Sequence, residues 1–168
     1  LCARTAADCP NIVAAKYGVP RAMYARLSRL TAGQLIVSTA SEAEWLDNII
    51  ELNWRLYLCS IPPLLYQTRA DRRIRRYTDL AFSGDFAAAR ELSDSLAPVR
   101  AALRSSRPPG TPHAQQKYWQ QLLGQVGGPV RRPLLNLTAV EKTMIEHAFA
   151  ASGLAPGTIP PAAAQTGK

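Results

Sequence analysis

The chain has 168 residues, 47% hydrophobic and 19% charged, with a formal net charge of +8. This length suits one domain with its own core, and the apolar share excludes wholesale disorder. No run approaches the roughly 18 apolar residues that a membrane span needs, so no membrane partner is expected.

Up to about residue 60, short apolar runs alternate with amphipathic helical stretches. The run Asn11–Lys16 is typical of a buried parallel strand, and Pro20 suits the first turn of the helix that follows it. Residues 34–38 form the next strand candidate, and Ser41–Glu44 is a capping box that opens another helix. Residues 55–59 then predict a third strand. This order predicts βαβ units and a parallel sheet.

Beyond Pro62-Pro63 the patterns are helical. The spacing predicts a helix to Ser83, then a longer one capped by Asp85 and broken near Pro98. Further helices are expected after Thr111-Pro112 and after the capping box Thr138–Glu141. The sequence therefore divides into a mixed part over residues 1–62, a helical part over 63–154 and a loosely ordered tail over 155–168.

A parallel sheet of three strands would be incomplete by itself. Its edges would be bare and one face unburied, whereas parallel sheets normally have both faces covered. The chain begins with Leu1 rather than Met. We therefore expect a processed chain or part of a longer one, with the missing strands upstream.

Lys16 is the most informative position because it ends an apolar strand. Burying an ammonium group is costly unless it is paired or neutral. A desolvated lysine is a nucleophile suited to form a Schiff base with a carbonyl substrate. In parallel α/β barrels the active site lies at the carboxyl ends of the strands, where Lys16 falls. The residue alone favours the other interpretation, a lysine whose stem runs out of the strand end into water.

The cysteines and histidines do not indicate a particular kind of site. The three cysteines are an odd number without C-x-x-C spacing, which fits a reducing compartment, and no secretory signal precedes them. His113 and His147 are far apart in sequence, so no metal site is expected. These residues therefore favour a reducing compartment and indicate no metal chemistry.

The positive charge is densest in an arginine-rich run. The run contains Arg69, Arg72, Arg73, Arg75 and Arg76, with Asp71 inside it. No aromatic ladder accompanies it, so a solvated helix face is favoured over a nucleic-acid-binding surface. A basic module that contacts anionic partners through this helix remains the alternative.

Three segments resemble the dihydrodipicolinate synthase and N-acetylneuraminate lyase family of class I aldolases. Pro10–Lys16 resembles the lysine-bearing sixth strand, and Leu35–Thr39 is similar to the seventh. Gly127–Thr138 is similar to the Arg-Pro-containing segment before the family's last helix. The three segments occur in the family's order and span nearly the whole chain.

The resemblance implies the C-terminal part of a TIM (β/α)₈ barrel, with strands six to eight in residues 1–62, followed by a helical extension. It implies that Lys16 is the catalytic Schiff-base lysine and that Thr39 and Leu56 line the substrate pocket. Thr39 stands where family members often have glycine, and Trp54 and Tyr57 replace smaller residues on the eighth strand. These departures predict a changed pocket. The family's strand-five tyrosine and carboxylate-binding donors are absent, and Tyr17 points away from the face of Lys16.

The implied activity is aldol chemistry on pyruvate or another 2-keto acid, with an aldehyde as the second substrate. No organic cofactor or metal is implied. The resemblance also implies a cytoplasmic homo-oligomer, a tetramer or a dimer. Besides the aldolase and the basic binding module, a third interpretation is an inactive fragment that keeps Lys16 but lacks a complete pocket.

Overall fold

The computed structural model describes residues 2–31, 34–39, 41–57, 65, 68–107 and 110–156. Backbone proximity divides the chain into two units, the first with residues 1–62 and 77–90, the second with residues 63–76 and 91–168. None of the described helices is long and apolar enough to cross a membrane. In chain order the elements are α1 (Cys2–Asp8), β1 (Ala14–Lys16), α2 (Arg21–Leu30), β2 (Ile36–Ser38), a 3₁₀ turn (Glu42–Glu44), α3 (Trp45–Leu52), α4 (Arg73–Ser83), α5 (Phe86–Asp94), α6 (Ala97–Arg104), α7 (His113–Leu122) and α8 (Ala139–Ser152).

The sheet of the first unit contains β1 and β2, which pair in parallel. The first two predicted strands are confirmed, although each is shorter than its apolar run. The predicted third strand does not form over its described residues, Arg55–Tyr57, and residues 58–59 lie outside the described part. The carbonyl of Leu56 accepts a hydrogen bond from the Ser38 side chain instead of from a strand backbone.

Helices cover one face of this sheet. Val37 on β2 is buried, as are Tyr24 on α2 and Trp45 on α3. The Tyr24 ring lies 5.2 Å from that of Trp54, which follows α3. Each fully buried side chain of this kind stabilises the unit by about 1.5–3 kcal/mol. This apolar layer fixes the orientation of β2.

The second unit is built on α6, α7 and α8, which pack on one another. Trp119 on α7 is fully buried; its indole N–H donates to the carbonyl of Leu65 at 2.8 Å and its ring meets Phe149 edge-on. The predicted break near Pro98 is confirmed, because α5 ends at Asp94 and Pro98 lies in the first turn of α6. Proline is tolerated there because those N–H groups lack helical partners.

The two predicted capping boxes have different outcomes. The box at Thr138 and Glu141 is confirmed, and α8 ends at Gly153, whose φ of +66° is the left-handed region that favours glycine. The box at Ser41 is wrong, because Ser41 makes no side-chain cap bond. The 3₁₀ turn delays the α-helical start to Trp45, so Glu44 precedes α3 instead of occupying its third position.

Candidate active site

The strand register places Lys16 directly opposite Ser38. The pairs Ala14 with Ile36 and Lys16 with Ser38 align in the parallel ladder, and the amide of Tyr17 donates to the carbonyl of Ser38 at 2.8 Å. Neighbouring strands lie about 4.8 Å apart, and directly paired residues share a face. Lys16 and Ser38 are therefore cross-strand neighbours at the carboxyl end of the sheet.

Ser38 is a site residue that sequence reasoning missed. Its side chain is 1% exposed, and its hydroxyl donates to the carbonyl of Leu56 at 3.2 Å. With the proton used in that bond, the oxygen keeps lone pairs that can accept a hydrogen bond. Since Lys16 is its partner in the ladder, Ser38 connects two residues predicted for the site, Lys16 and Leu56.

The face of the sheet that carries Lys16 is only partly open to solvent. Lys16 is exposed, Ile36 on the same face is 50% exposed, and Ile12, which shares this face by alternation, is 38% exposed. Apolar side chains on a sheet face normally pack under another layer. Ser38 on this face is covered, at 1% exposure, whereas Ile36 beside it on β2 is not.

The two predicted pocket residues have different surroundings. Thr39 follows the last residue of β2 and is 5% exposed, and Leu56 is half-buried. Alternation along β2 assigns Ser38, rather than Thr39, to the face of Lys16. A pocket role for Thr39 and Leu56 stays a prediction. Within the described ranges, no group of three His, Cys, Asp or Glu side chains could hold a metal ion.

The connection after β2 contains a buried carboxylate, Glu42, which is 2% exposed. The hydroxyl of Tyr77 on α4 donates to Glu42 Oε1 at 2.7 Å. Nearby, the indole N–H of Trp45 donates to the hydroxyl of Thr78 at 3.0 Å. Two consecutive residues of α4 thus hold the turn that follows the end of β2.

The arginine-rich run does not present a uniform face. Arg73 donates to the Asp71 carboxylate, to the carbonyl and hydroxyl of Ser95, and to the carbonyl of Ser152 at 2.7 Å. Its side chain is only 14% exposed. Arg69, Arg72 and Arg76 are exposed. At least one arginine of the run therefore serves the internal structure of the second unit.

The structure resembles solved structures of dihydrodipicolinate synthases. One such synthase matches with a TM-score of 0.70 and 22% identity, covering 88% of this chain and 48% of its own. The synthase from Aquifex aeolicus matches with a TM-score of 0.74 and 20% identity, covering 94% and 50%. That from Thermotoga maritima matches with 0.72 and 20%, covering 90% and 49%. No protein-family model and no curated protein sequence matches the chain.

These matches confirm, for the fold, the resemblance inferred from the three sequence segments. The chain spans about half the length of each matched structure. The described residues are mostly helical with a two-stranded parallel sheet. The chain has the fold of about half of a dihydrodipicolinate synthase, a TIM-barrel protein, consistent with the C-terminal half.

Proposed function

We propose that this chain is the C-terminal half of a Schiff-base-forming aldolase or lyase related to dihydrodipicolinate synthase and N-acetylneuraminate lyase. In this proposal β1 and β2 are the sixth and seventh barrel strands. The observation that carries it is the register that sets Lys16 opposite Ser38 at the carboxyl end of a sheet with this fold. That end is where TIM-barrel enzymes keep their active sites.

The proposed reaction begins with the neutral amine of Lys16. It attacks the keto carbon of pyruvate or another 2-keto acid, and the resulting carbinolamine takes up a proton on its hydroxyl and loses water to give a protonated imine. The imine withdraws electrons, so a proton leaves the adjacent carbon and an enamine forms. The enamine carbon attacks the carbonyl carbon of an aldehyde, whose oxygen takes up a proton. Water then releases the product and regenerates Lys16; the reverse sequence cleaves the same C–C bond.

The other residues of the site would shape this chemistry without an additional cofactor. The Ser38 oxygen can accept a hydrogen bond from the lysine nitrogen or from the carbinolamine hydroxyl, because its own proton is held by the carbonyl of Leu56. Thr39 and Leu56 would line the substrate pocket. Thr39 in place of glycine leaves less room beside the substrate, so the aldehyde need not be that of dihydrodipicolinate synthase.

The partly open sheet face supports the idea that the pocket needs the other half of a barrel. The exposed side chains of Ile12 and Ile36 share this face with Lys16, and the chain covers only about half of each matched structure. Covering the face would bury these side chains and remove water from the lysine. We propose that the longer protein is a cytoplasmic homo-oligomer, a dimer or tetramer, and that each of its subunits contains a complete barrel.

Sodium borohydride trapping with pyruvate tests the proposal. The reagent reduces an imine to a stable amine, and intact mass followed by peptide mapping locates the adduct. We expect an adduct on Lys16 in a longer form that begins upstream of Leu1. The Lys16→Arg variant should lose it, and the matched Lys142→Arg variant, on an exposed part of α8, should keep it.

The outcomes separate three readings. An adduct only in the longer form means that this chain is an incomplete barrel, and an adduct in both forms means that this half assembles a working pocket. No adduct in either form, with folded protein and several 2-keto acids, rejects the Schiff-base mechanism.

A basic binding module is the second candidate, favoured by the exposed Arg69, Arg72 and Arg76. It predicts an affinity for polyanions that falls steeply with salt. The engagement of Arg73 within the second unit weighs against it, because one arginine of the run is not available to a partner.

A further inference from the structure

The buried carboxylate of Glu42 is an unusual feature of the connection after β2. Glutamate is almost never fully buried unless it is paired, because removing its charge from water is costly. Glu42 is 2% exposed, and Tyr77, one of its partners, is completely buried with its hydroxyl 2.7 Å from Glu42 Oε1. A costly group at this position indicates a role that an apolar side chain could not fill.

The location of the pair indicates what that role is. Glu42 lies three residues after Thr39, in the connection from β2 to α3 at the carboxyl end of the sheet. Trp45, at the other end of the 3₁₀ turn, donates to Thr78. Tyr77 and Thr78 are neighbours on α4, so one turn of that helix anchors both ends of the turn that follows the predicted pocket residue.

We propose that Glu42 and Tyr77 are positioning residues of the Schiff-base site. They hold the connection after β2 in place so that Ser38 stays beside Lys16 and Thr39 keeps its position at the carboxyl end of the strand. This inference rests on the proposed function. A connection that is already fixed loses less conformational freedom when a substrate binds, so loss of the anchor should weaken substrate binding. The imine at Lys16 should still form and be reduced by borohydride when the anchor is lost.

The test compares two fully buried tyrosines of the first unit whose hydroxyls bind different partners. Tyr77→Phe removes the hydroxyl that binds Glu42. Tyr24→Phe removes an equally buried hydroxyl of the same unit, which contacts Asn48 Oδ1 at 3.2 Å between α2 and α3. Both variants should lower the melting temperature by similar amounts, so stability alone will not separate them.

Two measurements should separate them. In hydrogen–deuterium exchange, Tyr77→Phe should speed exchange of the amides of residues 41–45 at least fivefold, and Tyr24→Phe should not. In borohydride trapping, with the form of the protein that traps pyruvate, Tyr77→Phe should raise the half-saturating pyruvate concentration at least fivefold without changing the maximal trapped fraction. Tyr24→Phe should stay within twofold of the wild type.

A conservative variant provides the rescue. Glu42→Gln keeps an oxygen that can accept from Tyr77, so its half-saturating concentration should lie closer to the wild type than that of Tyr77→Phe. The reverse order contradicts an anchoring role. Equal half-saturation in the wild type and Tyr77→Phe, or equal weakening in Tyr77→Phe and Tyr24→Phe, overturns this inference alone. Absence of any adduct in every wild-type form removes the proposed function and this inference with it.

Discussion

The amino terminus of α8 gives a sharp test of the electrostatics of the second unit. Glu141 accepts from Arg107 Nε at 2.6 Å and Nη2 at 3.0 Å, and from the backbone N–H and hydroxyl of Thr138 at 2.7 and 2.8 Å. The amide of Glu141 donates in return to the Thr138 hydroxyl. The hydrogen bonds from Arg107, followed by those from Thr138, lower the pKa of Glu141 from 4.5 to about 2.

Replacing Glu141 should lower the free energy of unfolding because two kinds of interaction are lost. Removing a capping interaction costs about 1 kcal/mol. The ion pair with Arg107, whose side chain is 54% exposed, is screened by water and adds a smaller amount. Glu141→Ala should therefore lower the free energy of unfolding by at least about 1 kcal/mol. Glu141→Gln keeps the side-chain geometry of a capping box and should lose only the ion-pair part.

The pH dependence follows from the lowered pKa. A carboxylate whose pKa is lower in the folded state stabilises the fold above its unfolded pKa, here 4.5, and the stabilisation is lost as the pH falls through about 2. The difference between the wild type and Glu141→Gln should thus be full at pH 7 and nearly absent at pH 2. Urea unfolding at both pH values measures it. A difference that stays constant between pH 7 and pH 2 would refute the ionic part of the reasoning.

Two further predictions concern backbone contacts of the second unit. A Cβ at Gly127 would lie 2.2 Å from the carbonyl oxygen of Lys117, so Gly127→Ala should cost about 1–3 kcal/mol in urea unfolding; an unchanged midpoint would contradict this packing. Arg73→Gln should cost about 1–3 kcal/mol, because it leaves the carbonyl of the buried Ser152 without its charged donor. The matched change at an exposed site, Arg69→Gln, should stay within about 0.5 kcal/mol, and equal losses in the two variants would reject the internal role of Arg73.

Local rules were sufficient for much of the fold. The helix after Pro20, the break near Pro98 and the cap of α8 depend on neighbouring residues, so sequence reasoning predicted them. The capping box at Ser41 was wrong because a 3₁₀ turn, tied to α4 through Glu42 and Trp45, precedes α3. That tie depends on Tyr77 and Thr78, more than 30 residues away, and no local pattern indicates it.

The sequence identifies some residues of the site and not others, for the same reason. Lys16 is identifiable because a lysine at the end of an apolar run is chemically unusual. Ser38 is not, because its relation to Lys16 depends on the register between two strands, and a shift by one residue would put Val37 opposite the lysine instead. The sequence does not single out Glu42 either, because the property that distinguishes this residue is its burial in the folded chain. Its sequence context resembles an ordinary helix start.

The exposure of Lys16 connects the fold to the proposed chemistry. In water an ammonium group is well hydrated, and Schiff-base formation needs the neutral amine, which a desolvated site favours. Here Lys16 is itself exposed, and Ile36 on the same face is 50% exposed, so the described chain leaves the lysine in contact with water. A layer of barrel strands over this face would bury the apolar side chains and dehydrate the amine at the same time. Folding of the complete barrel and activation of its nucleophile would then be one event, which is why the trapping experiment must compare this chain with a longer one.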